Sequence, residues 1–150
     1  MHITSGFHAL HQPSAVTGHT MRDAILVALG GALGALGRWG LSGLILHRTA
    51  SEKLPIGTLA VNLLGCLVAG LLAGMAARHD TFRPATRLFL FTGLLGGFTT
   101  FSAFSLETVA LVRRGAYAAA AGYVTLSVAG GLAAFALGMA LIGQARPDRP

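Results

Sequence analysis

The sequence has little charge and few of the residue sets on which enzymes depend. Only 11% of its 150 residues are charged, whereas soluble globular proteins carry roughly a quarter. The single cysteine, Cys66, excludes an internal disulfide and a site built from several thiolates. The long apolar segments contain no serine–histidine–acid set, no paired carboxylates and no His/Cys metal spacing, so we expect no enzyme. The chain is instead 53% hydrophobic, which is typical of a membrane protein.

Four apolar segments are each long enough to cross a bilayer as a helix, which takes about 20 residues. We predict the spans at residues 24–46, 55–77, 86–112 and 117–142. Backbone polar groups must pair internally in lipid, and segments of this length do so as helices rather than strands. Pairs of glycines four residues apart allow such helices to approach closely; they are Gly30 and Gly34, Gly70 and Gly74, and Gly93 and Gly97. The sequence therefore predicts an all-α membrane protein with four transmembrane helices in a domain over residues 21–145.

The two ends of the chain differ from this domain. Residues 1–20 hold four of the six histidines, at spacings that fit no metal-ligand template. They also lack the basic start, apolar core and cleavage site of a signal peptide. Because this segment also has no charged residue and differs in composition from the rest of the chain, we expect residues 1–20 to be a disordered extension. Met21, which leads directly into the first span, reads like a natural start. We expect residues 146–150 to be a short C-terminal tail.

Basic residues are divided almost evenly between the two sides that four spans define. One side holds Arg22, Arg78, Arg83, Arg87, Arg146 and Arg149, and the other holds Arg48, Lys53, Arg113 and Arg114. Since the asymmetry of Lys and Arg sets orientation, this near balance predicts insertion either way up and pairing of two oppositely oriented copies. A single orientation with the N-terminus inside is the alternative. The basic residues form no single patch, so nucleic acid is not an expected partner.

The stretch GGFTTFSAF, residues 96–104, interrupts the third span. Its paired glycines weaken the helix near Gly96 and Gly97, and its hydroxyls can satisfy the backbone groups that a break releases. Freed carbonyl oxygens that point inward make a site for a small hard cation, while an exposed helix N-terminus favours an anion. The alternative is a kink that only serves packing. We predict a break in the third helix at this point.

Polar and aromatic residues at membrane depth describe a path for an anion. Phe98, Phe101 and Phe104 recur every third residue and share one broad helix face; a ring edge is positive, although an aromatic stripe is also typical of a core. Amide and hydroxyl donors accompany the rings; they include Asn62, Thr58, Ser105, Tyr123 and Ser127.

Two charged residues lie within the predicted spans. Arg38 either extends to the interface along its apolar stem or lends positive potential to an aqueous vestibule. Glu107 either pairs with a basic residue or lines the mouth of the path.

Four motifs together resemble the Fluc/CrcB family of fluoride channels. They are GGALGALGRW at residues 30–39, GTLAVNLLG at 57–65, GGFTTFSAFSLE at 96–107 and YVTLS at 123–127. The resemblance covers residues 22–143 and implies a fluoride-selective channel that allows passive fluoride efflux, lowers cytoplasmic fluoride and confers fluoride resistance. It also implies an antiparallel, dual-topology homodimer in the cell (inner) membrane.

The same resemblance assigns roles to individual residues. It implies a structural sodium ion between the subunits, held by backbone carbonyls of Gly96 and Thr99. It further implies that Phe101 and Phe104 form an aromatic box around fluoride and that Asn62 is a pore amide. Tyr123 and Ser127 correspond to polar positions of the fourth helix. Arg38 corresponds to a vestibule arginine, and Glu107 to a carboxylate that follows the box. The sequence departs from the expected pattern at Ala103 and Gly131, where a hydroxyl of the polar track is absent.

Two other functions remain open at this point. A four-span, dual-topology small-molecule exporter has the same outline, but it needs a carboxylate deep in the first helix, where this chain has Arg38. A non-conducting assembly subunit would use the glycine packing and leave the hydroxyl and phenylalanine cluster without a role.

Overall fold

A computed structural model describes residues 20–49, 54–79 and 82–144. Their helices are α1 (Met21–Thr49), α2 (Ile56–His79), α3 (residues 84–98), α4 (Phe101–Arg113) and α5 (Tyr117–Gln144). Four helical segments, with α3 and α4 together as the third, are long and apolar enough to cross a membrane. The prediction of four such helices with a break in the third is confirmed. The predicted C-terminal tail and, except for Thr20, the predicted N-terminal extension lie outside the described residues.

Local signals explain where two of these helices begin or end. The Thr20 Oγ1 accepts from the Asp23 N–H at 3.2 Å and the Asp23 carboxylate accepts from the Thr20 N–H at 3.1 Å, which is a reciprocal cap on α1. At the end of α4, Gly115 adopts a φ of +73°, and the Ala116 N–H reaches back to the Leu111 carbonyl. Only glycine adopts such a φ without strain, so the chain turns here directly into α5.

Helix α1 packs along α3 in parallel, with glycine in contact with glycine. A Cβ on Gly30 would lie 2.6 Å from the Phe89 carbonyl oxygen, and one on Gly93 would lie 3.0 Å from the Gly30 Cα. Further along both helices, a Cβ on Gly34 would lie 2.7 Å from the Phe98 nitrogen. The absence of side chains lets the two backbones touch, as the glycine spacing predicts.

Helix α2 packs against α5 in the same way, and this contact is as extensive as that between α1 and α3. A Cβ on Gly70 would overlap the Phe135 carbonyl oxygen, and one on Gly138 would lie 2.7 Å from the Leu71 nitrogen. Residue numbers rise together along both helices, so this pair is also parallel. The fold therefore consists of two parallel glycine-lined pairs, with α4 connecting the first pair to the second.

The break in the third span lies after the position that the sequence predicts. Residues 96–98 remain α-helical, and the extended residues are Thr99, with ψ of 157°, and Thr100, with φ of −149°. The predicted break at Gly96 and Gly97 is thus wrong by about one helical turn. The reason is that Gly97 is needed for contact with α1, where a Cβ would lie 2.9 Å from the Gly31 Cα.

The third span contains a second irregularity, which the sequence does not predict. Its first segment begins as an α-helix at Pro84–Arg87, widens to a π-helix at Leu88–Leu95 and tightens again at Gly96–Phe98. A π-helix is rare and often lies near functional sites. Here it precedes the break directly.

The described residues bury few side chains, because a thin bundle has little interior. Leu111, Ala120 and Tyr123 form a small buried cluster, and Val61 and Leu95 are also buried. By contrast, Trp39 is 78% exposed and Leu132 is 70% exposed. Large apolar side chains cover the outer surface, which suits contact with lipid or with another copy. The fold is that of a multi-pass membrane protein.

Candidate functional site

The break is held by one side chain from α2. The Asn62 Nδ2 donates to the Thr100 carbonyl oxygen at 3.1 Å, and the Asn62 Oδ1 accepts from the Thr100 N–H at 2.9 Å. One amide therefore satisfies the Thr100 N–H, which the break leaves without a helical partner, and also donates to the Thr100 carbonyl. We call this pair the Asn62–Thr100 clamp. Thr100 also caps α4, since its Oγ1 accepts from the Ala103 N–H at 3.2 Å.

The break separates the carbonyl oxygens of Gly96 and Thr99 from the N–H groups that would be their helical donors. In a continuous helix the Thr100 N–H would donate to Gly96 and the Ala103 N–H would donate to Thr99. These donors bind Asn62 Oδ1 and Thr100 Oγ1 instead. Gly96 is exposed on the chain's surface. Carbonyl oxygens released in this way are the ligands that hard cations take, so the residues predicted to hold sodium have suitable chemistry.

Arg38 of α1 turns toward the same break. Its Nε donates to the Gly97 carbonyl oxygen at 3.2 Å, and the side chain is half-buried. This contact favours a guanidinium in a vestibule over a side chain that extends to the interface. It also provides a partner for a third carbonyl whose helical donor the break removes.

Arg38 and Glu107 line the larger of two cavities, with a volume of about 600 Å³. The Glu107 carboxylate accepts two short hydrogen bonds, from Thr58 Oγ1 at 2.7 Å and from Tyr123 OH at 2.6 Å. Both donors are hydroxyls, so each carboxylate oxygen has a hydrogen-bond partner that is not a basic residue. Among the described residues the structure thus favours a cavity-lining position for Glu107 over an ion pair. The cavity wall also includes Trp39, Ser42, Val61, Thr100 and Ala103.

The smaller cavity has a volume of about 230 Å³ and lies on the other side of the Thr100 segment. Its wall includes the Asn62 amide, the Phe101 and Phe104 rings and the Ser127 hydroxyl. The remaining wall residues are Cys66, Thr99, Thr100 and Val128. The Ser127 Oγ is buried and has no hydrogen-bond partner among the described residues. The Tyr123 hydroxyl lies near this serine, so the two hydroxyls are neighbours behind the cavity wall.

Three aromatic rings form a chain beside this cavity. The Phe101 and Phe104 ring centroids are 5.3 Å apart at 42°, and those of Phe104 and Tyr123 are 5.4 Å apart at 40°. Phe101 is nevertheless 77% exposed in the single chain. The expectation that Phe98 shares their face is wrong, because the break separates it from them. Its ring instead lies between α1 and α2, with a carbon 3.6 Å from a Cβ placed on Gly37.

The structure therefore divides the predicted site residues between two cavities. Asn62, Phe101, Phe104 and Ser127 line the smaller one, and Arg38, Thr58 and Glu107 line the larger one. Tyr123 is buried and connects the two groups through Glu107 and Phe104. Ser105 donates to the Phe101 carbonyl of its own helix and lines neither cavity.

Sequence analysis includes Thr100 only among the hydroxyls of the interrupted segment and assigns it no role of its own, whereas the structure shows that it lines both cavities. Its position directly before an apolar helical segment is an N-cap signal, and that signal could have identified it.

The sequence of this chain matches one family of known proteins. The family described as CrcB-like protein, Camphor Resistance (CrcB), matches residues 25–139. The chain belongs to the CrcB family. The CrcB-family resemblance inferred from the motifs is thereby confirmed.

Several curated relatives of this CrcB-family chain carry the name fluoride-specific ion channel FluC. One from Methylobacillus flagellatus is 48% identical over 122 residues, which cover 81% of this chain and 95% of the relative. One from Bordetella petrii is 50% identical over 116 residues, covering 77% and 88%. One from Paracoccus denitrificans is 50% identical over 113 residues, covering 75% and 88%.

Proposed function

We propose that this chain is the subunit of a fluoride-selective ion channel that conducts fluoride passively. The observation that carries the proposal is the smaller cavity, which Asn62, Phe101, Phe104 and Ser127 line together. The curated relatives' common name, at 48% and 50% identity, supports fluoride as the ion. The family is one of channels, and no enzyme function is proposed.

The cavity walls replace the water of a small, strongly hydrated anion. Asn62 commits one N–H to Thr100, which leaves its second N–H for a ligand. The Ser127 hydroxyl supplies another donor, and the phenyl edges present weak positive charge. None of these groups carries a full charge, so the anion is stabilised without being trapped, which conduction requires.

The larger cavity acts as the vestibule in this proposal. Arg38 lowers the cost of bringing an anion into a space surrounded by lipid. Glu107 carries the opposite charge, but its two oxygens are occupied by the Thr58 and Tyr123 hydroxyls. The anion then passes the Thr100 segment, which separates the vestibule from the smaller cavity.

Two copies in opposite orientations complete the site. Phe101 is exposed in the single chain although its ring lines the cavity, so a second copy that packs on this ring would enclose the cavity. The near balance of basic residues on the two sides permits the opposite orientations. Gly96 and Thr99 carbonyls from both copies would hold a structural sodium ion. The positive charge of the ion would stabilise carbonyl oxygens that have no hydrogen-bond donor. Located in the cell (inner) membrane, such a dimer lets cytoplasmic fluoride leave down its gradient and confers fluoride resistance.

Fluoride release from liposomes tests the channel. Purified protein is reconstituted into vesicles loaded with fluoride, and an external electrode follows release. We expect rapid fluoride release, hardly any chloride release, and strong slowing by Phe101→Ile. Leu132→Ile, at a side chain that is 70% exposed on α5 and lines neither cavity, is the control and should release fluoride as fast as the unchanged protein. Vesicles that retain fluoride although they contain folded protein would contradict the channel function, and proton-coupled release of organic cations would favour the exporter.

Sodium dependence tests the proposed ion. Dimer stability in detergent is measured in sodium and after its replacement by a large organic cation. We expect weaker dimers without sodium. Equal stability in both solutions would exclude a structural role for sodium while leaving the flux result unaffected.

A further inference from the structure

Thr99, the first extended residue of the break, is held from two directions. Its N–H and its Oγ1 both bind the Leu95 carbonyl oxygen, each at 2.9 Å. Its methyl carbon Cγ2 lies over Gly65 of α2, so closely that a Cβ on Gly65 would overlap it. Because threonine is β-branched, these contacts fix both arms of the side chain at once.

Gly65 differs from Gly70 and Gly97 in what a side chain there would meet. The obstacle to a Cβ on Gly70 is the Phe135 backbone, and the obstacle on Gly97 is the Gly31 backbone. At Gly65 the nearest atom is a side-chain methyl at the break, followed by the Phe98 ring at 3.3 Å. The space left at Gly65 therefore accommodates the break itself, and the space at Gly70 accommodates a neighbouring helix.

A side chain at Gly65 would disturb the break in a specific way. Rotation of the Thr99 methyl away from it would also rotate Oγ1 off the Leu95 carbonyl. A shift of the backbone would instead move the Thr99 and Thr100 peptide groups, which line the smaller cavity. Either response changes the cavity wall that faces Asn62 and Ser127.

We propose that Gly65 is a positioning residue for the pore, because its bare Cα seats the Thr99 methyl and thereby sets the direction of the peptide groups at the break. The inference rests on the proposed channel function and extends it to a residue that lines neither cavity. It implies that Gly65 and Thr99 act as a matched pair, and that a smaller residue at position 99 tolerates a larger one at position 65.

Single-channel recording in planar bilayers tests this pairing. Conductance per channel counts only folded channels, so a loss of folded protein does not lower it. We expect Gly65→Ala to reduce fluoride conductance per channel about tenfold, the effect of little more than 1 kcal/mol at the narrowest point. In the Thr99→Ser background, which lacks the methyl, the same Gly65→Ala change should alter conductance less than about twofold.

Gly70→Ala is the matched control. It places a methyl group against the Phe135 backbone, so it should reduce the number of channels and leave the conductance of each one unchanged. Thr99→Ser should not restore that number.

The outcomes separate this inference from the channel function. Absence of fluoride current in the unchanged protein would refute the channel function itself. Fluoride current in Gly65→Ala channels at the unchanged conductance would refute the positioning role alone. If Gly65→Ala yields no channels, the double variant decides. Recovery of conducting channels supports the pairing, and their continued absence overturns it.

Discussion

Replacement of Asn62 by aspartate should nearly abolish fluoride conduction. The change preserves shape and retains the acceptor for the Thr100 N–H at 2.9 Å. It replaces the donor that faces the Thr100 carbonyl at 3.1 Å with an oxygen and places a negative charge beside the smaller cavity. The change therefore raises two free energies. The broken helix loses a hydrogen bond, and the permeating anion is repelled by a negative charge.

Their magnitudes can be derived from the geometry. Loss of the bond to the Thr100 carbonyl costs about 1 kcal/mol. A full charge roughly 5 Å from the path of fluoride, at an effective dielectric constant of about 20, raises the anion's free energy by about 3 kcal/mol. Since each 1.36 kcal/mol is tenfold in rate, conduction should fall by roughly a thousandfold.

Liposome release with a fluoride electrode measures this loss, and Asn62→Ala separates its two parts. Alanine removes both hydrogen bonds of the Asn62–Thr100 clamp but adds no charge, so it should conduct faster than aspartate and slower than asparagine. The folded fraction of each variant is checked by size-exclusion chromatography. Equal rates for aspartate and asparagine would refute the argument, and equal rates for aspartate and alanine would refute its electrostatic part.

Three further predictions use contacts elsewhere in the bundle. Tyr123→Phe removes the hydroxyl that binds Glu107 at 2.6 Å and should lower the free energy of unfolding by about 2 kcal/mol. Thermal unfolding in detergent measures this loss, and an unchanged transition would contradict the strength of that bond. Gly34→Ala forces a methyl group against the α3 backbone and should lower the free energy of unfolding by about 3 kcal/mol. Gly40→Ala is the control, because a Cβ there would have nothing within 4 Å, and it should have little effect. Equal effects of the two changes would refute the close packing of α1 on α3. Gly115→Ala, at a φ of +73°, should cost about 1 kcal/mol in the same measurement, and a stabilising effect would show that the turn tolerates a side chain.

The helices could be predicted from the sequence because they depend on local composition. Spans near residues 55–77 and 117–142 follow from long segments without charge, and α2 and α5 agree with them closely. The glycine contacts followed from spacing alone, since residues four apart share a helix face. The division of the chain into an extension, a membrane domain and a tail stays a prediction.

The position of the break could not be predicted from the third span alone, because another helix determines it. Gly96 and Gly97 are the weakest helix formers there, yet Asn62 of α2 captures the Thr100 peptide three residues later. Without that contact the local sequence favours the wrong position. The same shift separates Phe98 from Phe101 and ends the predicted aromatic stripe. Long-range side-chain hydrogen bonds leave no trace in hydrophobic periodicity.

Parallel pairing of α1 with α3, and of α2 with α5, has a consequence for biosynthesis. Consecutive segments of a nascent chain run in opposite directions across the membrane, so neither tight pair can form between segments that emerge one after the other. α1 must remain in lipid without its close partner until residues 84–98 have been inserted, and α2 must wait for the last helix. A chain arrested after its second segment therefore contains neither assembled pair and should be an early target for membrane quality-control proteases.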